Sequence, residues 1–426
     1  MGRPDGPPAR QHQRLAELVD ACVHCGFCLP TCPTYELWGQ EMDSPRGRIR
    51  LMKLGLAGEP LSASTATHID RCLGCMACVT SCPSGVRYDT LITATRAEVE
   101  AAYPRSWRER ALRSVIFRLF PYPRRLRVLR GPLKLGQLTR LDRVVAGSRL
   151  LARVAPGLAA MAGLAPRVGP RPKLPALVPA RPPRRAVVGM LSGCVQRELF
   201  PEVNAATARV LAAEGCDVVV PPDQGCCGAL SLHAGRRDEA ARFAERAAAT
   251  FARAGVDAVV VNTAGCGSAM KDYPDLGVDA LAGRVRDLSE FLVALGPVAV
   301  RRPVPAVVAY HDACHLRHAQ GIRDAPRRLL ATVPDLELRE IADGEICCGS
   351  AGVYNLLQPR AARDLGDRKA RRVAATGAQV LVSANPGCAM QIAAGLRRAG
   401  RSVPVAHLAE VLDASICGTG PRARWL

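Results

Sequence analysis

The sequence predicts an α+β protein: a mainly α-helical, cysteine-rich N-terminal domain followed by a duplicated α/β domain. Three observations carry that prediction. Two cysteine runs of identical spacing lie within the first hundred residues. A strongly basic stretch follows them. Beyond residue 185, apolar β-branched runs alternate with Ala-rich runs of helical period, and the whole pattern occurs twice.

The two runs are Cys22-Val-His-Cys25-Gly-Phe-Cys28-Leu-Pro-Thr-Cys32-Pro33 and Cys72-Leu-Gly-Cys75-Met-Ala-Cys78-Val-Thr-Ser-Cys82-Pro83. Both read C-x2-C-x2-C-x3-C-P, the spacing by which bacterial ferredoxins hold cubane 4Fe–4S clusters. Three cysteines at that spacing wrap three corners of one cube, and the fourth, turned away by its proline, reaches the other. The expected ligand sets are Cys22, Cys25, Cys28 and Cys82 for one cluster, and Cys72, Cys75, Cys78 and Cys32 for the second. A zinc site needs only four ligands and demands neither the triple step nor the terminal Cys-Pro. Gly26, Gly74 and Gly85 beside the ligands allow close backbone approach.

At 426 residues the chain is long enough for two to four domains. Eighteen cysteines without an apolar export signal favour metal or redox chemistry over secreted disulfides. No apolar run is long enough to span a bilayer. The expected location is therefore cytoplasmic, in solution or peripheral on the inner face of the cell membrane. Net charge is +20, but residues 101–185 hold 18 Arg and 2 Lys against only Glu109 and Asp142. The remainder is nearly neutral, which argues against a nucleic-acid-binding globule with a basic face spread over its fold.

In chain order, residues 1–100 form the dicluster ferredoxin-type domain. A Pro/Arg/Gly-rich tail enters a helix through Arg14–Val19. The insertion over 33–71 carries a helix with Ser44 as N-cap and Pro45 at its first position, then a second helix, over about 62–72, that delivers Cys72. Residues 101–185 are a basic amphipathic segment with Leu112, Val115, Ile116 and Leu119 at helical intervals, interrupted at Pro121 and Pro123. Its Pro/Gly/Ala-rich end, 156–183, reads as a linker. Such a segment lies on an anionic membrane surface or docks on an acidic partner. Alternatively, it is a connector packed on its own domains.

The repeats span 186–300 and 301–426. Cys194, Cys226, Cys227 and Cys266 of the first recur as Cys314, Cys347, Cys348 and Cys388, at offsets of 120, 121, 121 and 122. So constant a shift marks a duplication. Each cysteine site follows a strand, where open, mainly parallel α/β sheets form ligand crevices. Vicinal cysteines followed by Gly suit a metal centre better than a strained disulfide, so these eight are candidate ligands of a further cluster or metal. Cys216 and Cys417 fall outside the pattern. His311 and His315 flank Cys314 without a counterpart in the first copy, and are read as core or supporting histidines.

The two C-x2-C-x2-C-x3-C-P runs, Ser44-Pro-Arg-Gly-Arg-Ile, Cys82-Pro-Ser-Gly-Val-Arg-Tyr, and the paired Cys-Cys-Gly (CCG) repeats resemble the iron–sulfur subunit of the bacterial glycolate oxidase (glycolate dehydrogenase) complex. The resemblance covers nearly the whole chain. It implies an oxidoreductase component with two 4Fe–4S clusters, with further iron–sulfur centres in the CCG repeats as an open expectation. It also implies flavin-containing glycolate oxidase subunits as partners, holding FAD that this chain lacks, and a quinone or other electron acceptor. No residue is expected to be catalytic on its own. Relatives offer an alternative: a heterodisulfide-reductase-like subunit, or the iron–sulfur subunit of a glycerol-3-phosphate or lactate dehydrogenase. In heterodisulfide reductases each repeat ends in C-x-x-C. Here Ala269 and Gln391 stand in place of the last cysteine.

Overall fold

The computed structural model describes residues 9–420. The first eight residues of the expected tail lie outside the described residues. The N-terminal part is helical: Ala9–Asp20, Pro33–Trp38, Pro45–Leu56, Ala63–Arg71, Ala77–Thr80 and Tyr88–Ala102. Local chemistry sets these boundaries. Ser44 Oγ accepts the Gly47 N–H at 3.0 Å, with Pro45 at the first helical position where its missing N–H costs nothing. Ser62 caps the next helix by accepting from Thr65 N–H at 3.0 Å. Leu15, Ile49, Ile69, Leu91 and Ile92 form the shared core, and the cysteine loops are draped over it.

The basic stretch is a helical layer rather than a free tether. It runs through Trp107–Leu119, Pro123–Leu138, Leu141–Gly147, Arg149–Val154 and Pro156–Leu164. The expected linker over 156–183 is corrected at its start. Pro156 opens a helix at the position Pro tolerates, and the apolar residues Ala160, Met161 and Leu164 pack against Ile116, Phe117 and Leu356. Residues 165–176 are without regular structure.

The duplicated half holds two sheets. The first orders β1 (Leu177–Val178), β3 (Cys216–Val219), β2 (Ala186–Leu191), β4 (Ala258–Val261) and β5 (Val285–Asp287), parallel except for β1. The second orders β7 (Leu336–Glu340), β6 (Ala306–His311), β8 (Val380–Ser383) and β9 (Val405–Ala406), all parallel. Without the edge strand β1 the two orders are the same. In each repeat the first strand is central, with its neighbours approached from opposite sides, so a crevice opens at its C-terminal end.

The repeats pack as a pseudo-dimer. Helix Pro201–Ala213 of the first lies on Leu408–Cys417 of the second, and Leu288–Leu295 of the first lies on Asp324–Leu330 of the second. Each contact pairs the helix after the first strand of one repeat with the final helix of the other. The same surface is thus used twice, as in an isologous dimer. Val188, Val210, Leu292, Val308, Leu329 and Leu412 belong to one continuous core across that boundary.

Candidate metal centres

All 18 cysteines are free. Cys22, Cys25, Cys28, Cys82 and Cys78 border one small cavity beside Pro45, Arg46 and Tyr88. Cys25 is exposed, and its neighbours Val23 and Phe27 are 69% and 67% exposed, so this group faces solvent. Burial pushes the Cys28 thiol up to about 11. Cys32, Cys72, Cys75 and Cys78 are buried and close enough to influence one another's charge. Cys78 borders both groups.

A buried polar frame holds the second group. Asp43 is fully buried and receives Arg48 at 3.3 Å, His68 Nδ1 at 2.9 Å and Arg71 at 2.9 Å. Arg48 also donates to His68 O at 2.7 Å and to Thr34 Oγ1 at 3.1 Å, and Thr34 sits 3.3 Å from Cys32 Sγ. Burial raises the Cys72 thiol. The Arg48 and Arg96 guanidinium groups and the Tyr88 hydroxyl more than offset this and hold it below its ordinary value. Such an environment favours a thiolate and therefore a metal ligand. Gly74 has φ +64, a backbone conformation that favours glycine in the loop between Cys72 and Cys75. The sequence signal for this frame was the Asp43-Ser-Pro-Arg-Gly-Arg48 stretch, recognisable as a helix start but not as a charge cluster.

In the first repeat the structure brings Cys194, Cys226, Cys227 and Cys266 together at the strand ends, with Cys226 and Cys194 sulfurs 3.5 Å apart. In the second it gathers Cys314, Cys347, Cys348 and Cys388, with Cys314 and Cys347 sulfurs 3.9 Å apart. The second cysteine of each vicinal pair is the most acidic. Cys227 is held well down by hydrogen bonds from Cys226 and Cys266, and Cys348 by Cys347 and Cys388. Cys216 lies in the central sheet core and Cys417 ends the last helix, both away from these groups.

The two repeat sites open onto one cavity of about 450 Å³. Cys194, Cys226, Cys227 and Cys266 line it from one side, Cys314 and Cys388 from the other, and Phe120, Leu126, Leu133, Met161 and Leu164 of the helical layer close it above. The layer is pinned there by Glu198. This carboxylate is fully buried and lies 3.3 Å from Arg127, 3.2 Å from Arg171 and 3.8 Å from Arg197. Arg130 donates to the Glu198 carbonyl. Part of the positive charge of the basic stretch is therefore spent on internal anchoring.

The second thiol group touches the second repeat. Cys75 and Leu73 share a buried cluster with Cys314, Cys347 and Tyr354. His315 Nε2–H donates to Gly74 O at 2.9 Å, and His318 meets Thr80 Oγ1 at 2.8 Å. Arg96 donates to Cys72 O and, at 3.0 Å, to His233 O. The cysteine groups thus run from an exposed face, through the buried second group, to the roofed cavity.

Comparison with known proteins fits this layout. A 4Fe-4S dicluster domain family matches residues 18–86, a cysteine-rich CCG domain family matches 188–271 and 308–393, and the linker region of the glycolate oxidase iron-sulfur subunit matches 108–165. A probable glycolate oxidase iron-sulfur subunit from Bacillus subtilis is 37% identical, with 92% of each chain covered. The glycolate oxidase iron-sulfur subunit of Escherichia coli is 36% identical over 96% of this chain and 97% of that one. A Helicobacter pylori hypothetical protein shares the fold alone, at 10% identity, a TM-score of 0.53, and coverage of 96% of this chain and 73% of that one. The fold and cysteine groups define an iron–sulfur protein that joins a dicluster domain to paired CCG domains. Within that class, the chain belongs to the glycolate oxidase iron–sulfur subunit family and is an electron-transfer component of an oxidoreductase complex.

Proposed function

We propose that this subunit takes electrons from an FAD-containing partner that oxidises glycolate or a related 2-hydroxy acid, and delivers them to a membrane quinone. Cys22, Cys25, Cys28 and Cys82 hold one 4Fe–4S cluster, and Cys32, Cys72, Cys75 and Cys78 hold the second. Free cysteines, the small gap at the first group and nearby cations suit such groups, which supply one-electron transfer when bound. The exposed group around Cys25 and Phe27 is the docking end for the flavin partner. The cavity is the acceptor end.

One observation carries the choice of acceptor: both repeat sites face a roofed chamber with mainly aliphatic and aromatic walls. Its volume is within the usual range for small-molecule sites, and its walls suit an apolar ring and tail better than a charged carboxylate. Buried Gln196 lines the chamber with both amide atoms unpaired, ready to meet a carbonyl oxygen. Eleven of the 17 large exposed apolar residues among the described residues lie on Trp107–Leu158, interspersed with exposed arginines. That surface suits peripheral attachment to anionic lipid. No helix among the described residues is long and apolar enough to cross a membrane.

The test uses the reconstituted complex with quinone in anionic vesicles. Ala162→Phe, which fills the chamber, should stop quinone reduction while a water-soluble dye is still reduced. Attachment to the vesicles should weaken as the screening length falls from about 10 Å at 0.1 M salt to about 3 Å at 1 M. Unchanged quinone reduction in the filled variant would defeat the reading.

A further inference from the structure

The two repeat sites share four cysteines each, but one position beside them differs in kind. His311 ends β6 at the mouth of the second site, 1% exposed. Its ring nitrogen and the sulfurs of Cys348 and Cys388 all lie within 4.8 Å of one another. Apart from the neighbouring Cys348 sulfur, which its ring stabilises, neither ring nitrogen has a hydrogen-bond partner. A buried imidazole with a ring nitrogen left unpaired forfeits the hydration that nitrogen had in water. A native core rarely tolerates that without a reason.

The strand register makes the comparison strict. In the second sheet His311 is paired with Ser383, and at the corresponding place in the first sheet Leu191 is paired with Val261. Two apolar residues on adjacent strands have become a histidine and a serine. Ser383 Oγ is likewise buried and unpartnered. An imidazole bound to metal through one nitrogen usually donates its other N–H to a neighbouring oxygen. The facing serine hydroxyl is that kind of acceptor.

We propose that His311 is a fifth protein ligand, beside Cys314, Cys347, Cys348 and Cys388, to an iron–sulfur centre in the second repeat, with Ser383 orienting its ring. The first repeat, with Leu191 in that place, offers thiolates alone. The assignment of iron rests on the reading of the chain as an iron–sulfur subunit; the choice of ligands rests on the geometry. A neutral imidazole brings no negative charge, so replacing thiolate by histidine raises the potential of an iron–sulfur centre. A thiolate put in place of His311 should therefore lower the potential of the second-repeat centre.

The test is nitrogen hyperfine spectroscopy on the full chain, purified without oxygen and reduced. Wild type should show an imidazole-sized nitrogen coupling on one iron–sulfur signal. In His311→Cys, which keeps a ligand in place, that coupling should vanish with iron and sulfide retained, and the midpoint potential of that signal should fall. Cys25→Ser should lose a ferredoxin-type signal and keep the coupling. Absence of the coupling in wild type, or its persistence in His311→Cys, would overturn the assignment. If the ferredoxin-type signals are still reduced by the flavin partner in that case, only the histidine ligand has failed. If no iron–sulfur signal exists at all, the reading beneath it has failed.

Discussion

The turn after the first cysteine is built twice in this molecule and used for two different purposes. In the first repeat it is helix Val195–Leu199, whose buried Glu198 gathers Arg127 and Arg171 and so fixes the helical roof. In the second it is His315–Ala319, whose His315 and His318 grip the ferredoxin-type domain at Gly74 and Thr80. Glu198 and His318 sit at equivalent places, 120 residues apart. Duplication kept the strands and cysteines. The flanking positions then diverged, one towards the chamber's cover and the other towards the ferredoxin-type domain. A symmetric scaffold thus became an asymmetric one.

The sharpest way to break this comparison is to remove the same cysteine from each repeat. Cys314 shares a buried cluster with Cys75, whereas Cys194 has no such contact with the dicluster part. Cys314→Ser should abolish transfer from the reduced dicluster domain to the acceptor. Cys194→Ser should slow it by about tenfold, equivalent to ~1.4 kcal/mol, by perturbing the first-repeat site and the chamber wall it lines. Stopped-flow bleaching of the dicluster absorbance reads both. Equal losses would mean that the two sites act in parallel.

The second expected effect concerns the roof. Removing one partner from a buried ion pair costs about 3–5 kcal/mol when the remaining charges stay buried. Around Glu198, Arg127 and Arg171 keep side-chain exposures of 46% and 34%, so they can turn to water. Glu198→Ala should therefore cost less than that range, about 1–3 kcal/mol for the lost charged hydrogen bonds. Hydrogen exchange should rise over Pro123–Leu138 and Pro156–Leu164, with the second sheet unaffected. Exchange spread evenly over both repeats would deny the division of roles.

Much of this architecture was legible because its signals are local. Cysteine spacing, the Ser44-Pro45 start and the 120–122 residue offset each depend on a few neighbouring residues, and helix and strand limits followed within a few positions. The charge of residues 101–185 was equally visible, but not its use. Nothing near Arg127 announces that it meets a glutamate 71 residues on. The linker reading failed over Pro156–Leu164 for the same reason: a Pro/Gly/Ala composition looks unstructured until a partner surface, here Leu356 and its neighbours, covers it. His311 was noticed beside Cys314, yet its place among Cys348 and Cys388 depends on strand pairing across more than seventy residues.

A third difference lies at the caps of the two final helices. Asp287 caps Leu288–Leu295 and His407 caps Leu408–Cys417, at the same place in each repeat. His407 Nδ1 accepts the Ala409 N–H at 3.0 Å, and its Nε2–H donates to Asn262 O of the other repeat at 2.8 Å. Only the neutral ring can do both. Burial lowers its pKa from 6.5 to about 4. Because the folded value is depressed, its stabilisation is complete above 6.5 and is lost as pH falls towards 4. Each unit below 6.5 costs about 1.4 kcal/mol, so about 2 kcal/mol is gone by pH 5. His407→Asn keeps a capping oxygen and removes this titration. The variant should show a flatter decline in thermal stability between pH 6.5 and 5, at the cost of the Asn262 contact. An unchanged acid limb would place the sensitivity elsewhere, with His233, which burial also holds below its ordinary pKa, the first alternative.

The smallest effect expected is at the grip on the dicluster domain. His318 Nδ1 accepts from the Thr80 hydroxyl at 2.8 Å, while its Nε2–H donates to Glu345 O at 3.1 Å. Burial holds His318 below its ordinary pKa, which keeps the accepting nitrogen free of a proton near neutrality. Thr80→Val preserves shape and removes the hydroxyl, deleting one hydrogen bond worth about 1 kcal/mol. The Thr80 hydroxyl also has the Ala77 carbonyl in reach at 3.1 Å, so part of its bonding is local and the cross-domain share is smaller still. A double-mutant cycle of Thr80→Val with His318→Ala isolates that share. A coupling of about 0.5–1 kcal/mol is expected, accompanied by faster exchange at the amides of Gly74 to Thr80. The same cycle with Glu198→Ala in place of His318→Ala should show no coupling, because the equivalent turn of the first repeat faces the roof. Coupling there would mean that both turns act on one rigid body, and the asymmetry between the repeats would lose its mechanical basis.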